Sequence, residues 1–107
     1  MQVIRLILKD IWFDKIKNGS KTHEYRELKD YWIQRFFLGK HTIDELIQDK
    51  PLLTLKAHHI EFVRGYTKNA EKMYFEIKSV QILPNGIETD LKIKTPILDI
   101  TLGKKLK

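Results

Sequence analysis

The run from Lys72 to Leu83, "KMYFEIKSVQIL", constrains this chain more than any other stretch. It is dense in aromatic and β-branched residues, and it is bounded by the polar loop "RGYTKNAE" before it and the turn signal "PNG" after it. That combination predicts a strand. "HHIEFV", His58 to Val63, has the same character, so the loop Arg64 to Glu71 joins two strands. "IETDLKI" and "ILDITL" read as closing strands broken at Pro96. A sheet needs a second layer to cover its apolar face.

The first half supplies that layer. Val3 to Leu8 ("VIRLIL") is a short apolar run bounded by charges, consistent with a buried strand. Asp10 is placed to cap a following helix, with Ile11, Trp12, Phe13 and Ile16 as its apolar face and Gly19 just past its end. Leu28, Trp32 and Phe36 recur at helical spacing, with Ile33 and Phe37 beside them, so 28–38 is expected to be helical. Thr42 and Glu45 form a capping-box pattern ahead of Pro51 and predict a short helix near 43–49. The expected fold class is α+β: a small, partly closed, mostly antiparallel β-barrel with two or three flanking helices.

Length and composition limit what this fold can do. At 107 residues, 42% hydrophobic and 32% charged, with no repeat or linker, the chain reads as a single packed domain over 1–107. With no cysteine it has no disulfide, thiolate metal site or cysteine nucleophile. The N-terminal apolar run, interrupted by Arg5, Lys9 and Asp10, is too short for a signal peptide or membrane span, and a cytoplasmic location is expected. The net charge is +6, from 20 Lys+Arg against 14 Asp+Glu. That excess suits a polyanion partner, although it also serves solubility. Lys104, Lys105 and Lys107 contribute to it, either as phosphate attraction or as a frayed end.

The most chemically loaded stretch is Asn18 to Glu27, "NGSKTHEYRE". If it is extended, Thr22, Glu24 and Arg26 share one face, while Lys21, His23 and Tyr25 share the other. Lys21 stands at the mouth of the strand, where it can swing to either side. A glutamate accepts hydrogen bonds and an arginine donates several in a planar fork, so the pair can read a base edge or hold a phosphate. From spacing alone the reading that fits better is a surface ion pair worth less than about 1 kcal/mol.

"Gly19-Ser-Lys21-Thr-His-Glu24-Tyr-Arg26" resembles the G-x-K-x-x-E-x-R motif of the ASCH domain family, which has a PUA-like β-barrel. The preceding strand and the helix ending "FDKIKNG" follow the family's order, and the later "FVRGYTKNAEKMYFEIKSV" resembles the barrel strands of small bacterial and phage members. The resemblance implies a pocket beside the barrel where Gly19, Lys21, Glu24 and Arg26 gather. It also implies an RNA, nucleotide or nucleoside ligand; separately, no cofactor and no membrane partner are expected. Some small members are amidohydrolases of N4-acetylcytidine, with a threonine nucleophile three residues after the motif lysine. Here Glu24 stands at that position and Thr22 lies one residue after Lys21. The alternative is therefore a small hydrolase acting on a modified nucleoside or on RNA, with Lys21 and Glu24 as acid and base.

Beyond the motif, Arg64 is expected to reach a phosphate, and Tyr66 to stack on a base or pack on the barrel rim. Trp12, Trp32, Phe36 and Phe37 are expected in the core. His58 and His59, as strand neighbours, point to opposite faces with no carboxylate at ligand spacing, so no metal is expected.

Overall fold

In the computed structural model, which describes residues 3–106, eight elements follow one another. They are β1 (Val3–Leu8), α1 (Asp10–Lys17), β2 (His23–Glu27), α2 (Asp30–Phe36), α3 (Ile43–Gln48), β3 (His59–Arg64), β4 (Lys72–Leu83) and β5 (Ile97–Lys105). The strands form one five-stranded sheet in the order β1-β3-β4-β5-β2, curled into a half-barrel. The α+β class is as expected, with three helices.

The sheet is mixed, which corrects the mostly antiparallel expectation: β1 runs parallel to β3, with Val3 opposite His59 and Leu8 opposite Arg64. A parallel pair needs a long crossover. The segment between Leu8 and His59, holding α1, β2, α2 and α3, provides it. The remaining pairings, β3–β4, β4–β5 and β2–β5, are antiparallel. Register shifts between Phe75 and Ser79 disturb the β4–β5 ladder, and bulges of this kind increase local twist and bend.

β1 and β2 stand at opposite ends of the strand order. Even so, the curl brings them close enough for Arg26 on β2 to donate to the Ile7 carbonyl of β1 at 3.3 Å. The core draws on both strands and helices. Leu6, Phe13, Ile33, Phe36, Ile60, Phe62, Leu98 and Ile100 are almost wholly buried, and each comes from a run read as strand or helix.

Local differences from expectation have physical causes. Asp10 is the first residue of α1 rather than its cap; Lys9 holds the cap position with no side-chain bond, and the Asp10 carboxylate faces Arg64. Leu28 lies ahead of α2, where its N–H donates to the Pro96 carbonyl, so that helix starts only at Asp30. The Thr42 cap forms as expected, its hydroxyl accepting from the Glu45 N–H at 3.1 Å. "IETDLKI" is not a strand. Asn85 and Thr89 bond to nearby backbone groups and hold this segment in turns, with a single bridge between Gly86 and Ile93. Lys104 and Lys105 belong to β5, not to a frayed tail, while Lys107 lies outside the described residues.

Candidate functional site

The motif is built by a turn and a strand. α1 ends at Lys17, and Gly19 takes φ +85°, the left-handed conformation that glycine adopts without penalty. The chain then folds back, with the Gly19 N–H bonded to the Ile16 carbonyl and the Lys21 N–H to the Lys15 carbonyl. This turn delivers Lys21 to the start of β2. On β2, Glu24 and Arg26 face inward as their spacing predicts, while His23 and Tyr25 stack on each other with ring centroids 6.0 Å apart.

Glu24 is the centre of the arrangement, only 4% exposed. Its Oε1 lies 3.1 Å from the Lys21 ammonium and its Oε2 accepts from Arg26 at 3.0 Å. Lys21 also contacts Asp90, from the turns that follow β4. Its ammonium rests 4.7 Å from the Trp12 ring centroid and 5.4 Å from that of Tyr25, within cation–π range. Arg26 spans the gap to Ile7, and its guanidinium lies 5.8 Å from the Trp32 ring centroid. Burial raises the Tyr25 phenol above its ordinary pKa, and the Asp99 and Asp90 carboxylates add to the effect.

These groups line a cavity of about 240 Å³ between the end of β1, α1 and β2. Lys9, Lys21 and Arg26 stand against Glu24, Glu27 and Asp90 on its walls, so three cations face three carboxylates. Trp12 and Leu91 give it apolar surface. Such a cavity offers paired donors and acceptors with no net charge.

The expected residues divide between places. Lys21, Glu24 and Arg26 meet in the cavity, and Gly19 shapes the turn behind it. Tyr66 is almost fully exposed and lines an adjoining trough that also contains Arg26. Arg64 lines neither. Its guanidinium bonds to Asp14 at 2.5 Å and to Glu71 at 3.3 Å, and lies 4.4 Å from the Phe13 ring centroid. The Asp14 hydrogen bond lifts the Arg64 pKa further above its ordinary value, and Arg64 in turn lowers that of Asp14. Trp12 was expected in the core but is only partly buried and forms a cavity wall. Asp90 carried no sequence signal: it sits 69 residues from Lys21 in a segment read as strand. Among the described residues, no group of three or more His, Cys, Asp or Glu side chains is arranged to hold a metal ion. Among the described residues, no helix is long and apolar enough to cross a membrane. Compared with known proteins, the chain matches no family model, no curated protein and no solved structure.

Proposed function

We propose that this chain is an ASCH-type, PUA-like module that binds RNA or a nucleotide by taking one nucleobase into the Lys21–Glu24–Arg26 cavity. One observation carries the reading: a nearly buried carboxylate, Glu24, is fixed between two cations in a cavity whose charges balance. A charge-balanced, partly apolar cavity offers a free phosphate no net attraction, since its three cations are matched by three carboxylates. It suits a neutral planar group with several donors and acceptors. Its volume of about 240 Å³ is below the roughly 300–1,000 Å³ of drug-sized sites, and matches a smaller ligand. Trp12 and Tyr25 offer aromatic surface, while Glu24 accepts from a base amino group and Arg26 donates to a ring or carbonyl acceptor.

The hydrolytic alternative asks more of the same residues, since Lys21 would have to leave its carboxylate partners to act as acid or base. Both Glu24 oxygens already face cations, and Lys21 already contacts two carboxylates. The reading is tested by titrating nucleosides and their acylated derivatives into the protein and following amide and indole NMR shifts. Base-dependent shifts at Trp12, Glu24 and Arg26 are expected, and Glu24→Gln should weaken binding about tenfold or more by removing a charged acceptor. If no nucleoside perturbs these signals at millimolar concentration, the reading is wrong.

A further inference from the structure

We infer that the ligand is a single-stranded oligonucleotide whose backbone runs from the Lys21 cavity along β1; this rests on the nucleobase reading of that cavity. β1 has one strand partner, β3, and away from that ladder Arg26 of β2 donates to its Ile7 carbonyl. A trough of about 620 Å³ runs the length of β1, lined also by α2, Arg26 of β2 and Glu61 of β3, and shares Ile7 and Arg26 with the Lys21 cavity. It continues through Val3, Ile4, Tyr31 and Arg35 into a smaller depression of about 280 Å³ that ends at Lys56. The three spaces form one path, roughly as long as the six-residue strand, about 20 Å.

The path and the cavity differ in charge. Leaving aside Arg26, which Glu24 holds and the cavity shares, Arg5, Arg35 and Lys56 line the path against the single carboxylate Glu61. Glu61 is already held by Arg5 at 2.5 Å, and the Arg5 side chain stays 63% exposed with other guanidinium donors to offer. Arg35 has no carboxylate within salt-bridge distance among the described residues; it lies 4.2 Å from the Tyr31 ring centroid. A cationic path leaving a neutral cavity is the arrangement a polynucleotide needs: phosphates outside, one base inside.

The aromatic residues fit the same occupant. Tyr66 is 90% exposed and Tyr31 56% exposed, and both line the path. Exposed rings beside arginines are stacking platforms for unpaired bases. A duplex hides its bases from such rings, and an acidic peptide has no flat groups to place on them.

The test uses the full chain and fluorescence anisotropy with labelled oligonucleotides of one, two, four and eight residues, at two salt concentrations. Affinity should rise with length beyond one nucleotide and fall as salt rises. Tyr66→Ala should weaken the eight-residue ligand roughly five- to a hundredfold, the range of one lost base stack. Arg35→Ala should weaken it severalfold and flatten its salt dependence. Neither residue lines the Lys21 cavity, so both variants should bind a free nucleoside as the unsubstituted chain does. Ribo- and deoxyribo-oligomers of one sequence identify which polymer is held. The inference is overturned if eight residues bind no better than one, if both variants bind the oligomer unchanged, or if a duplex or polyglutamate of equal charge binds as tightly. A nucleoside that still binds in those cases leaves the cavity reading intact. If neither nucleoside nor oligomer binds, both readings fall.

Discussion

Glu24 and Glu61 are the two carboxylates buried among the described residues, and each is made tolerable by specific partners. Glu24 bridges Lys21 and Arg26, so its removal strands two cations in a poorly solvated place. Breaking a buried pair costs about 3–5 kcal/mol. Lys21 keeps Asp90 and Arg26 keeps the Ile7 carbonyl, so Glu24→Ala should fall near the lower end, about 3 kcal/mol by urea denaturation. A loss below about 1 kcal/mol would mean that the two cations reach water instead. Glu61 works differently. Burial raises its pKa, but the Tyr74 hydroxyl and Arg5 bond to it and bring it below the ordinary glutamate value. Tyr74 is raised in turn by donating to that carboxylate. A depressed carboxylate stabilises the fold above its unfolded pKa and loses that contribution as pH falls through the folded value. A raised phenol stabilises below its unfolded pKa and loses that contribution as pH rises through the folded value. The pair therefore adds stability between about pH 4.5 and pH 10 and loses it on either side. In Glu61→Gln, the Tyr74 titration followed by NMR should move back toward its ordinary value. An unchanged Tyr74 midpoint would rule the coupling out.

Two glycines at turns show how elements deliver these side chains. At Gly19 an added Cβ would meet nothing within 4 Å, so only the φ of +85° opposes a side chain. Gly19→Ala should cost about 1–2 kcal/mol, and Gly19→Asn less, because asparagine tolerates the left-handed region. Gly86 presents the opposite problem. An added Cβ would lie 2.9 Å from Ile97 Cγ2 and 3.1 Å from Thr89 Oγ1, and Ile97 is wholly buried on β5. Gly86→Ala should cost about 1–3 kcal/mol by overpacking and displace the 86–93 turns that carry Asp90. Thermal melts compare the variants, and the Lys21 side-chain NMR signals should shift in Gly86→Ala but stay in place in Gly19→Asn. The contrast explains what the sequence could and could not reveal. The Thr42 cap, the Gly19 turn and the shared face of Glu24 and Arg26 depend on neighbours within a few positions, and all were legible. The contact of Asp90 with Lys21, the parallel pairing of β1 with β3 and the union of Arg64 with Asp14 join segments more than 45 residues apart. Nothing in local spacing encodes such partners.

The half-barrel makes the cavity a product of both ends of the chain. β2, which carries Glu24 and Arg26, has one strand partner, β5, with Glu24 opposite Ile100 and Arg26 opposite Leu98. β5 is an interior strand between β4 and β2, and its Ile97, Leu98 and Ile100 side chains are wholly buried. The motif lies in the first quarter of the sequence, yet its backbone is ordered by the last. A fragment of residues 1–96 retains every side chain of the cavity but leaves β2 without a ladder and uncovers the core side of β4. It should show no cooperative unfolding transition by tryptophan fluorescence, since Trp12 and Trp32 both flank the site. In the intact chain, Ile100→Ala should cost about 2–5 kcal/mol as a core truncation. Because Ile100 backs Glu24, that variant should also broaden the Lys21 and Arg26 side-chain signals well below its melting temperature. A fragment of residues 1–96 that unfolds cooperatively, with Lys21 still in its native environment, would show that α1 and β2 organise the cavity without the sheet.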